Sequence, residues 1–153
     1  MLNKVGKALR IISDDTKKKI AVVLDGTTIS EDFEFSRFKT LKKSFNQIGS
    51  VRTGKIILDR QITMKDSEIL RGQGFQEEIV GSDVDIHVTL RAMEFLASPN
   101  VDMIAIGTSD MNLVPLLYRI KKEKQLVIVT WEKDITPTIE SIADYILYLD
   151  YLK

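Results

Sequence analysis

Hydrophobic residues fall along the chain in two alternating patterns, short uninterrupted runs and longer stretches with helical spacing. Short apolar runs between polar residues are typical of strands buried on both faces. They predict five strands and a candidate sixth, at residues 20–24, 55–58, 75–80, 101–106, 126–130 and 145–149. Apolar residues three or four positions apart predict helices at residues 34–48, 63–71, 84–97, 113–123 and 137–142.

The order of these elements predicts the fold class. Strands that alternate with helices form parallel pairs, because each crossover returns the chain to the same end of the sheet. We therefore expect an α/β fold in which helices cover both faces of a mainly parallel sheet of five or six strands.

The first residues of the chain show a separate amphipathic pattern. Its apolar residues share one helical face, and they are Leu2, Val5, Leu9 and Ile12. We expect residues 1–18 to form an amphipathic helix and a polar bridge ahead of a domain at residues 19–153. This helix would pack on the domain or on a partner, and a homo-oligomer built through it is one of the expected arrangements.

Composition narrows the classes of protein to consider. The 153 residues are 44% hydrophobic, enough for one domain with a full core. Lys plus Arg equals Asp plus Glu at 22 each, so any nucleic-acid binding must use local patches or a metal. The absence of cysteine excludes disulfides, thiolate metal sites and cysteine nucleophiles. No apolar stretch reaches the roughly 18 residues of a membrane helix, so we expect a cytoplasmic protein with no membrane partner.

Acidic residues stand where the predicted strands end. Asp25 ends the first strand, and Asp110 follows the fourth. Parallel strands end at one edge of a sheet, which is where α/β folds bind ligands. Asp83 and Asp85 open the predicted helix at 84–97 and can point at the same edge. Because like charges repel, a divalent cation is the usual reason to gather carboxylates.

Three segments of the chain carry motifs that occur together in one family. They are Val23-Leu24-Asp25-Gly26-Thr27-Thr28, Asp83-Val84-Asp85-Ile86-His87-Val88 and Gly107-Thr108-Ser109-Asp110-Met111-Asn112. Over about residues 19–150 their order and spacing resemble the NYN domain family of the PIN-like nuclease superfold, and most nearly an uncharacterised, archaeal-type branch. The resemblance implies a three-layer α/β/α sandwich and a metal-dependent ribonuclease, in which clustered acids hold Mg²⁺ or Mn²⁺ and activate water against a phosphodiester.

The resemblance also implies roles for individual residues. Asp25, Asp85 and Asp110 match the catalytic acids and would be the metal ligands, with Asp83 as an auxiliary acid. RNA would be the partner.

Three positions depart from the family pattern. Thr28 replaces an orienting asparagine, Asn112 replaces a second acid, and Arg91 replaces an acid that follows Asp85. Thr28 and Asn112 would be auxiliary polar groups. Arg91 would either reach the acids and replace the cation, or point outward and grip a phosphate bidentately.

Each acid also has a purely structural interpretation. Asp25 could form a turn with Gly26. Asp110 and Asn112 could cap the following helix, which is the better interpretation for Asn112. Acids at the start of a helix, Asp83 above all, are favoured by its dipole.

Two other functions compete with the nuclease. The departures at residues 28, 91 and 112 favour a catalytically degenerate domain that binds RNA or protein. A phosphoacceptor domain of the receiver type ranks last. Lys133 after the fifth strand suits it, but the adjacent acid pair expected after the first strand is missing.

Overall fold

One parallel sheet organises the part of the chain that the computed structural model describes, residues 17–29 and 33–152. Within these ranges the sheet has six strands, and every neighbouring pair is parallel. The strands are β1 (Lys19–Asp25), β2 (Ser50–Leu58), β3 (Phe75–Ile79), β4 (Met103–Gly107), β5 (Gln125–Thr130) and β6 (Tyr145–Tyr148). Their order across the sheet is β3-β2-β1-β4-β5-β6. This confirms the predicted α/β fold.

Helices connect the strands and cover both faces. They are α1 (Gly26–Ile29), α2 (Phe38–Asn46), α3 (Met64–Gly72), α4 (Val84–Leu96), α5 (Val114–Glu123) and α6 (Pro137–Ile142). Single 3-10 turns lie at Phe35–Arg37, Met111–Leu113, Glu132–Asp134 and Leu149–Tyr151. The short helix α1 was not predicted. The predicted amphipathic helix at the start of the chain lies outside the described residues.

The core consists of two apolar layers, one on each face of the sheet. The layer under α2 and α3 contains Phe38 and Phe75, whose rings meet edge to face at 5.2 Å. The layer under α4, α5 and α6 contains Val88, Leu117 and Ile139. Successive residues of β1, from Ile20 to Leu24, are fully buried and point alternately into the two layers. The strand is therefore the centre of a three-layer sandwich.

Strand β2 begins earlier than the apolar pattern predicts. The predicted strand covered residues 55–58, whereas the structure pairs Ser50 with Lys19 and continues to Leu58. Val51 is the one large apolar residue at positions 50–54, so the hydrophobic pattern there is too weak to predict a strand. Close packing explains the glycine at position 54, because a Cβ there would lie 2.7 Å from the ring of Phe75.

Capping side chains define the starts of two helices. The Oγ1 of Thr63 accepts a hydrogen bond from Asp66 N at 3.2 Å and begins α3. The Oγ1 of Thr136 accepts one from Ile139 N at 3.2 Å and begins α6, with Pro137 in its first turn. Both helices therefore start where the sequence predicts them.

An ion pair ties α4 to the edge strand β3. The guanidinium of Arg91 donates to both carboxylate oxygens of Glu78, with Nε–Oε2 at 2.7 Å and Nη2–Oε1 at 2.6 Å. Its Nη1 also donates to Glu94 on the next turn, at 2.7 Å. The hydrogen bonds from Arg91 hold the pKa of Glu78 below its usual value. A bidentate pair of this kind fixes orientation as well as contributing energy.

Replacing Glu78 with glutamine tests this link. A lowered pKa in the folded state stabilises the fold above the unfolded-state pKa, about 4.3, and that contribution disappears as pH falls through the folded value. Since the pair is partly exposed, we expect Glu78→Gln to cost roughly 1 kcal/mol at about pH 7 and clearly less at about pH 2.5. Urea unfolding at both pH values measures this.

The matched control is Glu123→Gln. Its pair with Arg119 is longer, at 3.5 Å, and both side chains are half-exposed. This change should cost no more than about 0.5 kcal/mol. Equal costs for the two variants at neutral pH would contradict a special role for the Arg91–Glu78 pair.

Candidate functional site

The two strands at the centre of the sheet carry the first pair of acids. Along the chain, β2 and β3 extend the sheet on one side of β1, and β4 begins the other side. The carboxyl ends of β1 and β4 therefore flank the point where the strand order reverses, which is the usual ligand crevice of such sheets. Asp25 is the last residue of β1, and Asp110 follows β4. The structure brings these two predicted site residues together.

Asp25 is a buried carboxylate, only 2% exposed. Its Oδ1 accepts hydrogen bonds from Thr27 N at 3.1 Å and Thr28 N at 3.2 Å. Burial raises the pKa of Asp25, the hydrogen bonds from Thr28 and Thr27 oppose the rise, and the nearby charge of Asp110 adds to it. The net pKa lies above the ordinary value. The buried site therefore makes the charged form of this side chain less favourable than it is in water.

A glycine makes the tight turn after Asp25 feasible. A Cβ at Gly26 would lie 2.8 Å from the carbonyl oxygen of Ile57 on the neighbouring strand. The backbone can therefore turn directly into α1 against β2, which aims the amides of Thr27 and Thr28 at the carboxylate. The turn of Asp25 with Gly26 that the sequence offered as a structural interpretation is present.

Two threonine hydroxyls join the ends of β1 and β4. The Oγ1 of Thr28 donates to the backbone oxygen of Asp25 at 3.4 Å and accepts from Ser109 N at 3.1 Å. The Oγ1 of buried Thr108 donates to Asp25 Oδ2 at 3.5 Å and accepts from Asp110 N at 2.9 Å. Each hydroxyl thus contacts both loops and fixes one relative to the other.

Asp110 is partly exposed and begins the turn that leads into α5. Its Oδ1 accepts from Asn112 N at 2.9 Å, and its carbonyl oxygen accepts from Leu113 N at 3.2 Å. The carboxylate of Asp110 therefore accepts a hydrogen bond from an amide of the 3-10 turn that precedes α5, and it does not cap α5 itself. The capping role expected of Asn112 is wrong. Leu113 holds the N-cap position of α5, which has no side-chain cap.

The acids at the start of α4 lie at the same edge, because α4 follows the carboxyl end of β3 and packs on β1. Asp85 is partly buried in the first turn. Asp83 is exposed, and its backbone adopts the left-handed conformation at φ 57°. It is the one non-glycine residue of the described ranges with a positive φ. Its carboxylate accepts from Ser82 Oγ at 3.0 Å and does not cap the helix.

Arg91 adopts neither of the two arrangements that the sequence suggested. Its guanidinium is engaged by Glu78 and Glu94, on the side of α4 that faces the outer strand β3. The acids of the crevice lie instead at the ends of the central strands. Arg91 therefore acts as a link between α4 and β3, and its charge is balanced there.

In residues 17–29 and 33–152, no group of three or more His, Cys, Asp or Glu side chains is arranged to hold a metal ion. Asp25 and Asp110 form the core of the site, and Asp85 does not complete a three-carboxylate group with them in this arrangement. Two acids, Asp25 and Asp110, are therefore close together, and the helix that carries Asp85 lies beside them.

Sequence reasoning missed two residues of this edge. Thr108 lies between the two acids, and Asp134 accepts a hydrogen bond from Ser109 Oγ at 2.9 Å. Asp134 lies in the turn after β5, the strand next to β4, so the rule that identified Asp25 and Asp110 applies to it equally. A hydroxyl such as that of Thr108 leaves no comparable signal in a single sequence.

A cavity of about 390 Å³ opens beside the turn that follows Asp25. Its wall combines apolar side chains with polar ones, and the lining residues beyond the glycine are Thr27, Phe35, Leu58, Asp59, Arg60, Gln61 and Ile62. The Oγ1 of Thr27 is buried with no hydrogen-bond partner in the described structure. The guanidinium of Arg60 pairs with Asp59, and the Arg60 side chain is 80% exposed at the rim. This mixture of groups suits a ligand with an apolar ring and polar edges.

Among the described helices, none is long and apolar enough to cross a membrane.

Comparison with known proteins identifies relatives whose own functions are not described. The chain is similar to the uncharacterised protein MJ0482 of Methanocaldococcus jannaschii, with 27% identity over 131 residues, which is 84% of this chain. The chain spans only about half of that relative, 54% of its length.

A solved structure shares the fold. It is a protein of unknown function, VPA0982, from Vibrio parahaemolyticus, with a TM-score of 0.69 and 23% identity, covering 88% of this chain and 94% of the other. At this identity the likeness concerns the fold alone.

The family model of the NYN domain matches residues 19–150, which include every strand of the sheet and both acids of the crevice. The resemblance seen in the sequence motifs is thereby confirmed, and the chain belongs to the NYN domain family of PIN-like, nuclease-like domains.

Proposed function

We propose that this domain is a metal-dependent nuclease that cleaves RNA at the crevice between β1 and β4. The observation that carries the proposal is the buried carboxylate of Asp25 beside Asp110 at the carboxyl edge of the sheet. Asp25 and Asp110 would hold Mg²⁺ or Mn²⁺, and Asp85 and Asp134 are further acids at the same edge of the sheet. Membership of a nuclease-like family supports this assignment.

The electrostatics of Asp25 support a cation site. The hydrogen bonds to its carboxylate come from neutral groups of Thr27, Thr28 and Thr108. Burying a carboxylate without an opposite charge is costly, and the proximity of Asp110 increases that cost. A divalent cation would offset both negative charges, so the arrangement that is unfavourable alone becomes favourable with the ion.

Two close carboxylates fit a hydrated ion. Mg²⁺ usually keeps several waters and is bound by one or two carboxylates together with substrate phosphates. The Asp25–Asp110 pair meets that requirement without a third protein ligand. When bound, such an ion lowers the pKa of a coordinated water and offsets charge on the attacked phosphate. The hydroxyls of Thr28 and Thr108 would keep the two carboxylates at a fixed separation.

The cavity next to the acids supports a nucleic-acid substrate. It begins at Gly26 and Thr27, directly after Asp25, so a nucleotide beside the cleaved phosphate could enter it. Phe35 offers an apolar surface for a base, and the unpartnered Thr27 Oγ1 offers a hydrogen bond. Arg60 at the rim could contact a phosphate. These local contacts matter because the chain has no net charge to attract RNA.

A second candidate is a domain that has lost catalysis and binds RNA or protein. Thr28 and Asn112 stand where the family pattern has other ligating or orienting groups, and Arg91 is engaged by Glu78. This candidate predicts that neither Mn²⁺ nor Mg²⁺ binds the acids and that RNA is held uncut. Both candidates can be tested with the same variants.

Cleavage of single-stranded and structured RNA with Mn²⁺ tests the nuclease directly. We expect Asp25→Asn and Asp110→Asn each to reduce the cleavage rate at least 100-fold, because each removes half of the proposed ligand pair. The control is Asp102→Asn, since Asp102 lies at the opposite edge of the sheet, where its Oδ2 accepts from Lys19 N. An amide oxygen can keep that bond, so this variant should cleave at the normal rate.

Full activity in Asp110→Asn would refute the assignment of this residue. Uncut RNA that binds equally well to the unaltered protein and to both site variants would favour the degenerate domain instead.

The stability of Asp25→Asn without metal gives a second test. A raised pKa in the folded state stabilises the fold only below the unfolded-state pKa, and this contribution is lost as pH rises through the folded value. Asparagine keeps the hydrogen-bond acceptor without the charge. In EDTA at about pH 7 we therefore expect Asp25→Asn to be more stable than the unaltered protein by roughly 1 kcal/mol.

The difference should shrink as the pH is lowered, because protonation removes the charge that asparagine lacks, and urea unfolding over a range of pH would measure it. Adding Mn²⁺ should stabilise the unaltered protein and leave Asp25→Asn unchanged. Loss of stability in Asp25→Asn at neutral pH would show that its charge is already compensated within the protein.

The substrate cavity is tested by Arg60→Ala. This residue lies at the rim and its side chain has little structural contact beyond Asp59. We expect KM for RNA to rise about threefold to tenfold while kcat stays nearly constant, since a phosphate contact outside the reacting centre binds ground state and transition state alike. Arg52→Ala, an equal charge change on the exposed part of β2 near the opposite edge, should leave KM unchanged. Equal effects of the two changes would indicate general electrostatics rather than a subsite.

A further inference from the structure

Helix α4 presents an apolar stripe to solvent. Ile86 is 54% exposed, Leu90 is 53% exposed and Met93 is 37% exposed, and Ala97 just beyond the helix is exposed as well. These four residues, called the α4 stripe below, are spaced so that they share one helical face. Large side chains in such a contiguous row on a protein surface mark a place where another element binds.

The opposite face of the same helix is already used. Val88, Ala92 and Leu96 pack into the core against the sheet. Helix α4 is thus apolar on two sides, which is typical of a helix covered by protein on both. Within the described residues, only the side with Val88, Ala92 and Leu96 is covered.

We propose that residues 2–12 of the same chain dock on the α4 stripe as an amphipathic helix. The sequence of this segment places four apolar residues on one predicted helical face, at Leu2, Val5, Leu9 and Ile12. An isolated helix of this length is marginal in water, so it needs an apolar surface to pack on. The α4 stripe is such a surface, with matching spacing. The proposal does not depend on the nuclease assignment.

The place where the segment joins the domain supports docking within one chain. Lys19 N donates to Asp102 Oδ2 at 2.8 Å, and Asp102 N donates to the carbonyl oxygen of Lys19 at 2.8 Å. Residues 98–102 directly follow α4, so the chain enters the domain beside the carboxyl end of that helix. Residues 13–18 could span roughly 20 Å when extended, which is enough to reach the stripe.

The lengths of the two segments also agree. A helix of residues 2–12 would be about 16 Å long, and α4 is about 20 Å long at 1.5 Å per residue. The docked helix could therefore cover most of the stripe without passing the end of α4.

Charge favours the same occupant. Residues 2–12 contain Lys4, Lys7 and Arg10 and no acidic residue. Exposed acids flank the α4 stripe, with Glu94 beside Met93 and Asp83 at the start of the helix. Pairs across the edge of the contact would add modest stability and would select the orientation.

Disulfide trapping in the full chain tests the proposal. Because the chain has no cysteine of its own, only the introduced cysteines can form a disulfide. Leu9→Cys is combined in turn with Ile86→Cys, Leu90→Cys or Met93→Cys, and the dilute protein is oxidised mildly. We expect at least one pair to form an intrachain disulfide in most molecules, seen as a mobility shift without reductant and the loss of two hydrogens in the mass. The control pairs Leu9→Cys with Met64→Cys, since Met64 is 77% exposed on α3 at the other face of the sheet.

Each outcome decides the question. Trapping at least fivefold faster for one α4 pair than for the control supports docking within the chain. Equal trapping of the control, or no trapping with any α4 pair, overturns it. Disulfide-linked dimers in place of the intrachain bond also overturn it and assign the stripe to a second copy of the chain.

A melting experiment adds a readout that needs no cysteine. Leu90→Asp in the full chain should lower the melting temperature by several degrees, because it places a charge in the proposed contact. Met64→Asp should change it by a degree or less, and equal small shifts for both variants would show that the stripe is uncovered.

Discussion

The parallel pairing of β1 with β4 is the constraint on which the rest of the molecule depends. This pairing joins the two halves of the sheet, and it places the ends of two strands side by side although their residues are far apart in sequence. Asp25 and Asp110 meet because of it, and the hydroxyls of Thr28 and Thr108 can bridge the two loops only at this spacing. The apolar layers on the two faces hold β1 from both sides, so the pairing is difficult to distort.

The crevice concentrates an electrostatic cost on one residue. Asp25 is buried by the same close packing that makes β1 the centre of the fold, and a buried carboxylate near another acid is unfavourable by itself. The amides of Thr27 and Thr28 reduce this cost without removing it. A site of this kind is stabilised by whatever brings positive charge to it, which links the stability of the fold to the ligand it binds.

The sequence predicts the framework of this structure well and the details of its site only in part. Buried strands and amphipathic helices leave periodic signals, and the ends of strands locate Asp25 and Asp110. The early start of β2 leaves only a weak signal, because Val51 is its one large apolar residue and Gly54 is small where the ring of Phe75 packs. The sequence also gives no signal for the partner of Arg91. Glu78 lies on a different element, and only the packing of α4 against β3 brings the two residues together. Contacts between segments that are distant in sequence therefore cannot be predicted from a single sequence.

Helix α4 connects the crevice with the outer surface of the domain. It carries Asp85 in its first turn at the edge of the crevice, and Arg91 fixes its middle to the edge strand. Its outer stripe is the place where we propose that the start of the chain docks. The place of Asp85 at the edge of the crevice therefore depends on how α4 is held. Its core contacts through Val88 and Ala92 and the pair of Arg91 with Glu78 fix the helix against the sheet.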